Sequence, residues 1–313
     1  MASHVISVHK TKARPAAHAE RAEASFHEGL PGEPTFTTWQ GHRIHYRRLG
    51  VGPALVLVHA PDVGACCLEW RRNLEPLAAD HTVFAVDLPG FGLSSARPIP
   101  YGSETYIRFL RDFLHDVVGP GADVLGSVLG ASYLVHVAAR WPATLGKLVL
   151  VALAGLSALR PNLLGAVAFQ VLSLPGLSAA VWGTSTSRYS ILEHLQRDVY
   201  ANDEWAGPQT VDARYWGCHR PNAAYVERSR LAGLLNTDLR TAAGQVRQPV
   251  LLCWGRNAAC PPLADVEAFR ERAPHANLAI FEHSALAPQE EESHRFNQAV
   301  RTFLSIDAPP LAA

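Results

Sequence analysis

Apolar residues follow two alternating patterns along this chain. Ala54–Val58 (ALVLV), Thr82–Val86 (TVFAV), Ala122–Leu125, Leu148–Ala152, Val250–Trp254 and Leu278–Phe281 are short apolar runs. Runs that are apolar on successive positions suit strands covered on both faces, hence a mostly parallel sheet between two layers of helix. Tyr106–Val117, Leu129–Trp141, Leu263–Ala273 and Glu291–Leu304 carry helical periodicity instead, and the last puts Phe296, Val300 and Phe303 on one face. Upstream, Thr35–Trp39 and His42–Leu49 flank Gln40-Gly41 and predict a hairpin. The plan is α/β and doubly wound.

The alternation breaks between Leu156 and about Thr241. Helical pieces occur there (Leu163–Leu172, Ile191–Tyr200, Ala223–Leu235), but no clear strand. An insert between two parallel strands sits above their carboxyl ends, where α/β proteins bind ligands. The chain therefore divides into a flexible arm (1–34), a core (35–155 and 242–307), a helical cap (156–241) and a short tail (308–313). The arm ends in Leu30-Pro31-Gly32-Glu33-Pro34, a turn-rich linker.

Composition narrows the function classes. Lys+Arg and Asp+Glu are both 28, so the net charge is zero, which excludes electrostatics as the main means of holding nucleic acid or an anionic membrane. No apolar stretch reaches the length of a membrane span. The five cysteines (66, 67, 218, 253, 260) form no C-x-x-C pair, so neither a zinc cage nor a redox pair is expected. Free thiols fit a soluble protein of a reducing, cytoplasmic compartment. No metal or cofactor is expected, and the histidines of the arm match no tight site.

The candidate chemistry lies at the strand ends. Between Ala122–Leu125 and the helix from Leu129 stands Gly126-Ser127-Val128-Leu129-Gly130, the strand–turn–helix frame of a nucleophile elbow. Leu55-Val56-Leu57-Val58-His59-Ala60 is similar to the strand that opens an oxyanion loop. Trp70-Arg71, Val86-Asp87-Leu88-Pro89-Gly90-Phe91-Gly92, Leu251-Leu252-Cys253-Trp254-Gly255 and Glu291 with Phe296-Asn297 are further landmarks in order. The chain resembles the α/β-hydrolase superfamily over residues 36 to 305. It is nearest the capped branch of haloalkane dehalogenases, epoxide hydrolases and carbon–carbon bond hydrolases.

That resemblance implies a nucleophile, an acid and a histidine, and here their positions fall on Val128, Ala258 and Leu286. Valine has no lone pair with which to attack. The oxyanion loop is His59, Ala60 and Pro61, with Leu129 as the elbow's donor, and Pro61 has no N–H to offer. The expected function is therefore a non-hydrolytic binder of a small apolar ligand, or an interaction scaffold. The alternative is an enzyme, hydrolase or lyase, that acts on a small hydrophobic substrate with displaced residues such as His283, Asp62 or Ser127. Cys66, Cys67, Trp182, Trp205, Tyr215 and Trp216 are the candidates to line a pocket.

Overall fold

A computed structural model of the chain describes residues 30–161 and 164–306, in a compact unit that begins at Pro31. Most of the arm and the whole tail expected from the sequence lie outside the described residues. Strand β1 (Glu33–Trp39) starts two residues before the expected hairpin, because Glu33 and Pro34 already pair with Arg48 and Arg47 of β2 (His42–Leu49). The remaining strands are β3 (Ala54–Val58), β4 (Thr82–Val86), β5 (Ala122–Ser127), β6 (Leu145–Val151), β7 (Val250–Gly255) and β8 (Asn277–Phe281). They form an eight-stranded sheet in the order β1-β2-β4-β3-β5-β6-β7-β8. Strand β2 runs antiparallel to β1 and β4, and every other pairing is parallel.

Helices cover the faces, as the apolar runs demand. They are α1 (Leu74–Ala78), α2 (Ser103–Phe113, continued by a wider turn to Val118) and α3 (Val128–Arg140) before the cap. After it come α9 (Ala264–Arg270), α10 (Pro288–Glu291) and α11 (Ser293–Ser305). Helix α3 crosses the sheet centre and buries all its residues from Leu129 to Ala138. In α11, Phe296, Val300 and Phe303 face the core as the periodicity predicts. The expected helix over 291–304 is in fact split. Glu292 stands between α10 and α11 with φ −119°, and its carboxylate accepts the N–H of His283 and the hydroxyl of Ser284.

The insert between β6 and β7 contains helices α4 (Gly165–Leu172), α5 (Leu177–Ser185), α6 (Arg188–His194), α7 (Pro208–Cys218) and α8 (Ala223–Leu231). It meets the core backbone to backbone. Gly64, at φ +59°, lies so close to α7 that a Cβ there would stand 1.9 Å from the Arg214 carbonyl oxygen, and a Cβ on Gly217 would stand 2.6 Å from the Gly64 oxygen. Only glycine at both places permits that approach. Among the described residues no single helix is long and apolar enough to cross a membrane.

Candidate functional site

The turn from β5 into α3 reverses sharply, and Val128 takes φ +46° at its apex. A β-branched residue in that region costs about 1–3 kcal/mol, which the surrounding packing must offset. The flanking glycines make the turn possible. A Cβ on Gly126 would lie 2.9 Å from the Ala131 nitrogen, and one on Gly130 would lie 2.5 Å from the His59 oxygen. The apex side chain is half-buried and packs in the same apolar cluster as Ala258 and Leu286. The three positions that the resemblance assigns to a triad are thus aliphatic members of one apolar core cluster. The Leu286 N–H donates to the Val199 carbonyl at 3.0 Å, which ties this loop to the cap.

The loop after β3 is built around His59. Its Nε2 accepts the Leu88 N–H (3.1 Å), so Nδ1 carries the proton and donates to the Ala60 carbonyl (2.7 Å). Burial lowers its pKa and keeps the ring neutral. The Ala60 N–H turns to the Glu69 carboxylate (3.0 Å), the Asp62 N–H donates to the Ala60 carbonyl (2.9 Å), and Pro61 has none. The Leu129 N–H belongs to the first turn of α3, whose N–H groups have no intrahelical acceptor.

Glu69 is the group that sequence reasoning missed. It is 8% exposed, with Oε2 on the Ala60 N–H and Oε1 accepting from Gln289 Nε2 at 3.0 Å, while the buried Ser127 hydroxyl, which has no hydrogen-bond partner, is near enough to pull its pKa down. Burial pushes its carboxyl up to about 7 against the pull of Ser127 and Ala60, and the nearby Glu290 carboxylate adds to the rise. Three segments converge on it: the elbow, the loop after β3 and helix α10. The available signal was an acid inside the apolar stretch Cys66-Cys67-Leu68-Glu69-Trp70.

Asp62 stands on the outer side of its loop, in a charged cluster with the cap. Its Oδ2 lies 2.7 Å from His194 Nε2 and 3.2 Å from Arg214 Nη1, and Oδ1 lies 3.8 Å from Arg230 Nη1. The other nitrogen of His194 faces Asp198 at 2.9 Å. Burial alone would raise the Asp62 pKa, but His194, Arg214 and Arg230 together hold it well below the usual range. Asp62 in turn raises that of His194. His283, by contrast, is exposed at the end of β8.

The pocket candidates have other partners. Cys66 and Cys67 are buried free thiols. A hydrogen bond with Cys66, burial and the Asp87 carboxylate raise the Cys67 pKa well above a normal thiol's, so it stays protonated. His45, Cys67 and Asp87 bring three potential metal-ligand atoms within 4.8 Å of one another. The Asp87 carboxylate there already accepts from Cys67 N (2.7 Å) and Leu93 N (2.8 Å) and meets His45 Nδ1 (2.7 Å), the bonding of a structural turn. Trp182 and Tyr215 both pack on His219, Arg72 covers Trp205, and Arg220 lies over Trp216. Grooves of about 330, 560 and 410 Å³ open on the cap and along α11, and Val128, Ala258 and Leu286 line none of these three.

Comparison with known proteins adds the following. Residues 55–299 match the model of the alpha/beta hydrolase family. A pimeloyl-[acyl-carrier protein] methyl ester esterase of Vibrio parahaemolyticus is 27% identical over 270 residues, covering 83% of this chain and 97% of that protein. A 2-hydroxy-6-oxo-6-phenylhexa-2,4-dienoate hydrolase of Comamonas testosteroni is 23% identical over 83% of this chain and 91% of its own length. Among solved structures, a serine hydrolase involved in carbazole degradation superposes with a TM-score of 0.72 at 21% identity, covering 88% of this chain and all of that one.

Proposed function

Because the chain belongs to the alpha/beta hydrolase family, we propose that it is an enzyme of that family acting on a small, apolar-bodied ester, with Ser127 and Glu69 as its reacting pair. The relatives are named as esterases and hydrolases. That favours an enzyme over the non-hydrolytic binder that the aliphatic triad positions suggest. The observation that carries the assignment is Glu69: a buried carboxyl pushed up to about 7, near a buried serine hydroxyl that has no hydrogen-bond partner, one residue before the elbow apex. A general base works best with a pKa near the working pH, and its orientation has to be fixed by further bonds. Here Gln289 and the Ala60 N–H fix it.

In this reading Ser127 Oγ attacks the ester carbonyl while Glu69 takes its proton, and the tetrahedral oxyanion faces the Leu129 N–H. The proton passes to the departing alkoxide, which leaves as an alcohol. Water, deprotonated by the same carboxylate, then releases the acid and regenerates the serine. A single oxyanion donor implies a rate about 10²–10³ below that of a two-donor site. Ser127 is 1% exposed, so a substrate reaches it only when the structure around it opens. The scattered free cysteines fit a reducing cytoplasm as its location.

The test is labelling with a fluorophosphonate together with hydrolysis of short-chain nitrophenyl esters. Labelling should map to Ser127 and disappear in Ser127→Ala, and turnover should fall in Glu69→Gln. A protein that neither labels nor hydrolyses, even with the cap loosened by Asp62→Asn, would refute this pair. The packing of Val128, Ala258 and Leu286 in one apolar cluster then favours a second reading, a binder of a small apolar ligand without turnover.

A further inference from the structure

The two first helices of the cap differ from the rest of the surface in composition and in exposure. From Pro161 to Ser187 there is no charged residue, and from Val124 to Leu192 there is no acid, while Arg140, Lys147, Arg160 and Arg188 are present. The zero net charge of the whole chain conceals this asymmetry. Helix α4 places Gly165 and Phe169 inward, and a Cβ on Gly165 would already touch the Ala232 carbonyl. Its opposite side shows Val167 (59% exposed) and Val171 (47%) to solvent, followed by Leu174 (54%) in the turn and Leu177 (40%) at the start of α5. Helix α5 has no fully buried residue, although it is apolar along most of its length. Ordinary surfaces show such side chains singly; a continuous set marks a place of contact.

We propose that the α4–α5 hairpin docks on an anionic lipid bilayer and lies in its interface. The two helices meet at 101°, so they cannot cross together as one straight span, whereas a bent pair can lie flat in an interface. The charge pattern selects the occupant. Arg160 and Arg188, both exposed, bracket the hairpin, Arg188 being paired with Asp212 of α7 at 2.6 Å, and the hairpin itself carries no carboxylate that would repel a phosphate. Tyr189, exposed just beyond α5, is an aromatic type that settles at headgroup level. Charged basic residues beside an anionic leaflet add an attraction that an uncharged protein partner would not supply. This proposal does not depend on the reacting pair above and is read by binding, not turnover.

The experiment is cosedimentation of the full chain with sucrose-loaded vesicles, either phosphatidylcholine alone or equal parts of phosphatidylcholine and phosphatidylglycerol. Binding is expected to the anionic vesicles and to be much weaker on the neutral ones. Val171→Ser with Leu174→Ser should weaken it by at least about tenfold, since each buried aliphatic side chain is worth about a factor of ten or more. Arg160→Glu with Arg188→Glu should remove the preference for the anionic lipid. Both pairs sit on the exposed face, and an unchanged thermal midpoint verifies that the variants are folded. Absence of vesicle binding by the parent chain would overturn the proposal. So would equal binding by the serine variant, or a parent oligomer that the serine variant converts to monomer without any vesicle binding, which would make a second copy the occupant.

Discussion

Replacing Glu69 by Gln isolates one proton. The native carboxyl ionises near 7, whereas a glutamate in an unfolded chain ionises near 4.5. Its folded pKa is therefore raised, and between those two values the folded state binds a proton that the unfolded state has released. Stability must fall as pH rises through that window, at up to about 1.4 kcal/mol for each pH unit. Over the full interval the loss is about 3 kcal/mol, and above 7 both states are ionised and the slope vanishes. Glutamine keeps the shape and the acceptor for the Ala60 N–H, but it carries no proton to lose. Its amide also faces Gln289 Nε2, which has to rotate to offer its oxygen, so Glu69→Gln is expected to be somewhat less stable at pH 5. The assay is urea unfolding of both proteins at intervals from pH 5 to 8. The parent should lose stability across this range relative to the variant, and the two curves should approach or cross near neutrality. Parallel curves would refute the argument, because they would mean that Glu69 is already ionised at pH 5. The same carboxyl predicts a kcat/KM profile for ester hydrolysis that rises with a limb near 7 and is absent in the variant.

The sheet and its helices were legible because they depend on short-range pattern. Six apolar runs gave parallel strands, and Gly126 with Gly130 announced a tight elbow before any geometry was known. Helix ends were less legible, for reasons that are themselves physical. Glu292 interrupts the last predicted helix because its carboxylate is committed to the His283 and Ser284 segment. Ala223–Leu235 stops at Leu231 because Gly233 turns at φ +73°. The site was hardest. Asp62 meets His194 across 132 residues, and Gln289 meets Glu69 across 220, and no periodicity encodes a pair so distant. The apex conformation could be argued in advance; the buried acid behind it could not, since a lone Glu before a Trp looks like any solvated residue.

Three further outcomes follow from the geometry. Gly64→Ala should destabilise by about 2 kcal/mol or more, since its Cβ would meet the Arg214 backbone at positive φ; an unchanged denaturation midpoint would mean that α7 does not dock there. His194 has a raised folded pKa, so its contribution is complete below about 6.5 and is lost as pH rises through the folded value. In a Glu69→Gln background, His194→Ala should therefore cost most at pH 6 and less at pH 9, and a cost that grows with pH would contradict the ion pair with Asp62. The last outcome concerns Val128, where glycine and alanine give opposite answers to one question. In a helix interior alanine is better than glycine by about 1 kcal/mol. At φ +46° the alanine Cβ is strained and glycine is not. Both variants lose the same half-buried valine contacts, so the difference between them reports the backbone alone. Val128→Gly should be as stable as Val128→Ala or more stable, by up to about 1 kcal/mol, in urea denaturation. If alanine is the more stable by the ordinary helical margin, the apex is unstrained, and the packing around Val128 has no backbone cost to offset.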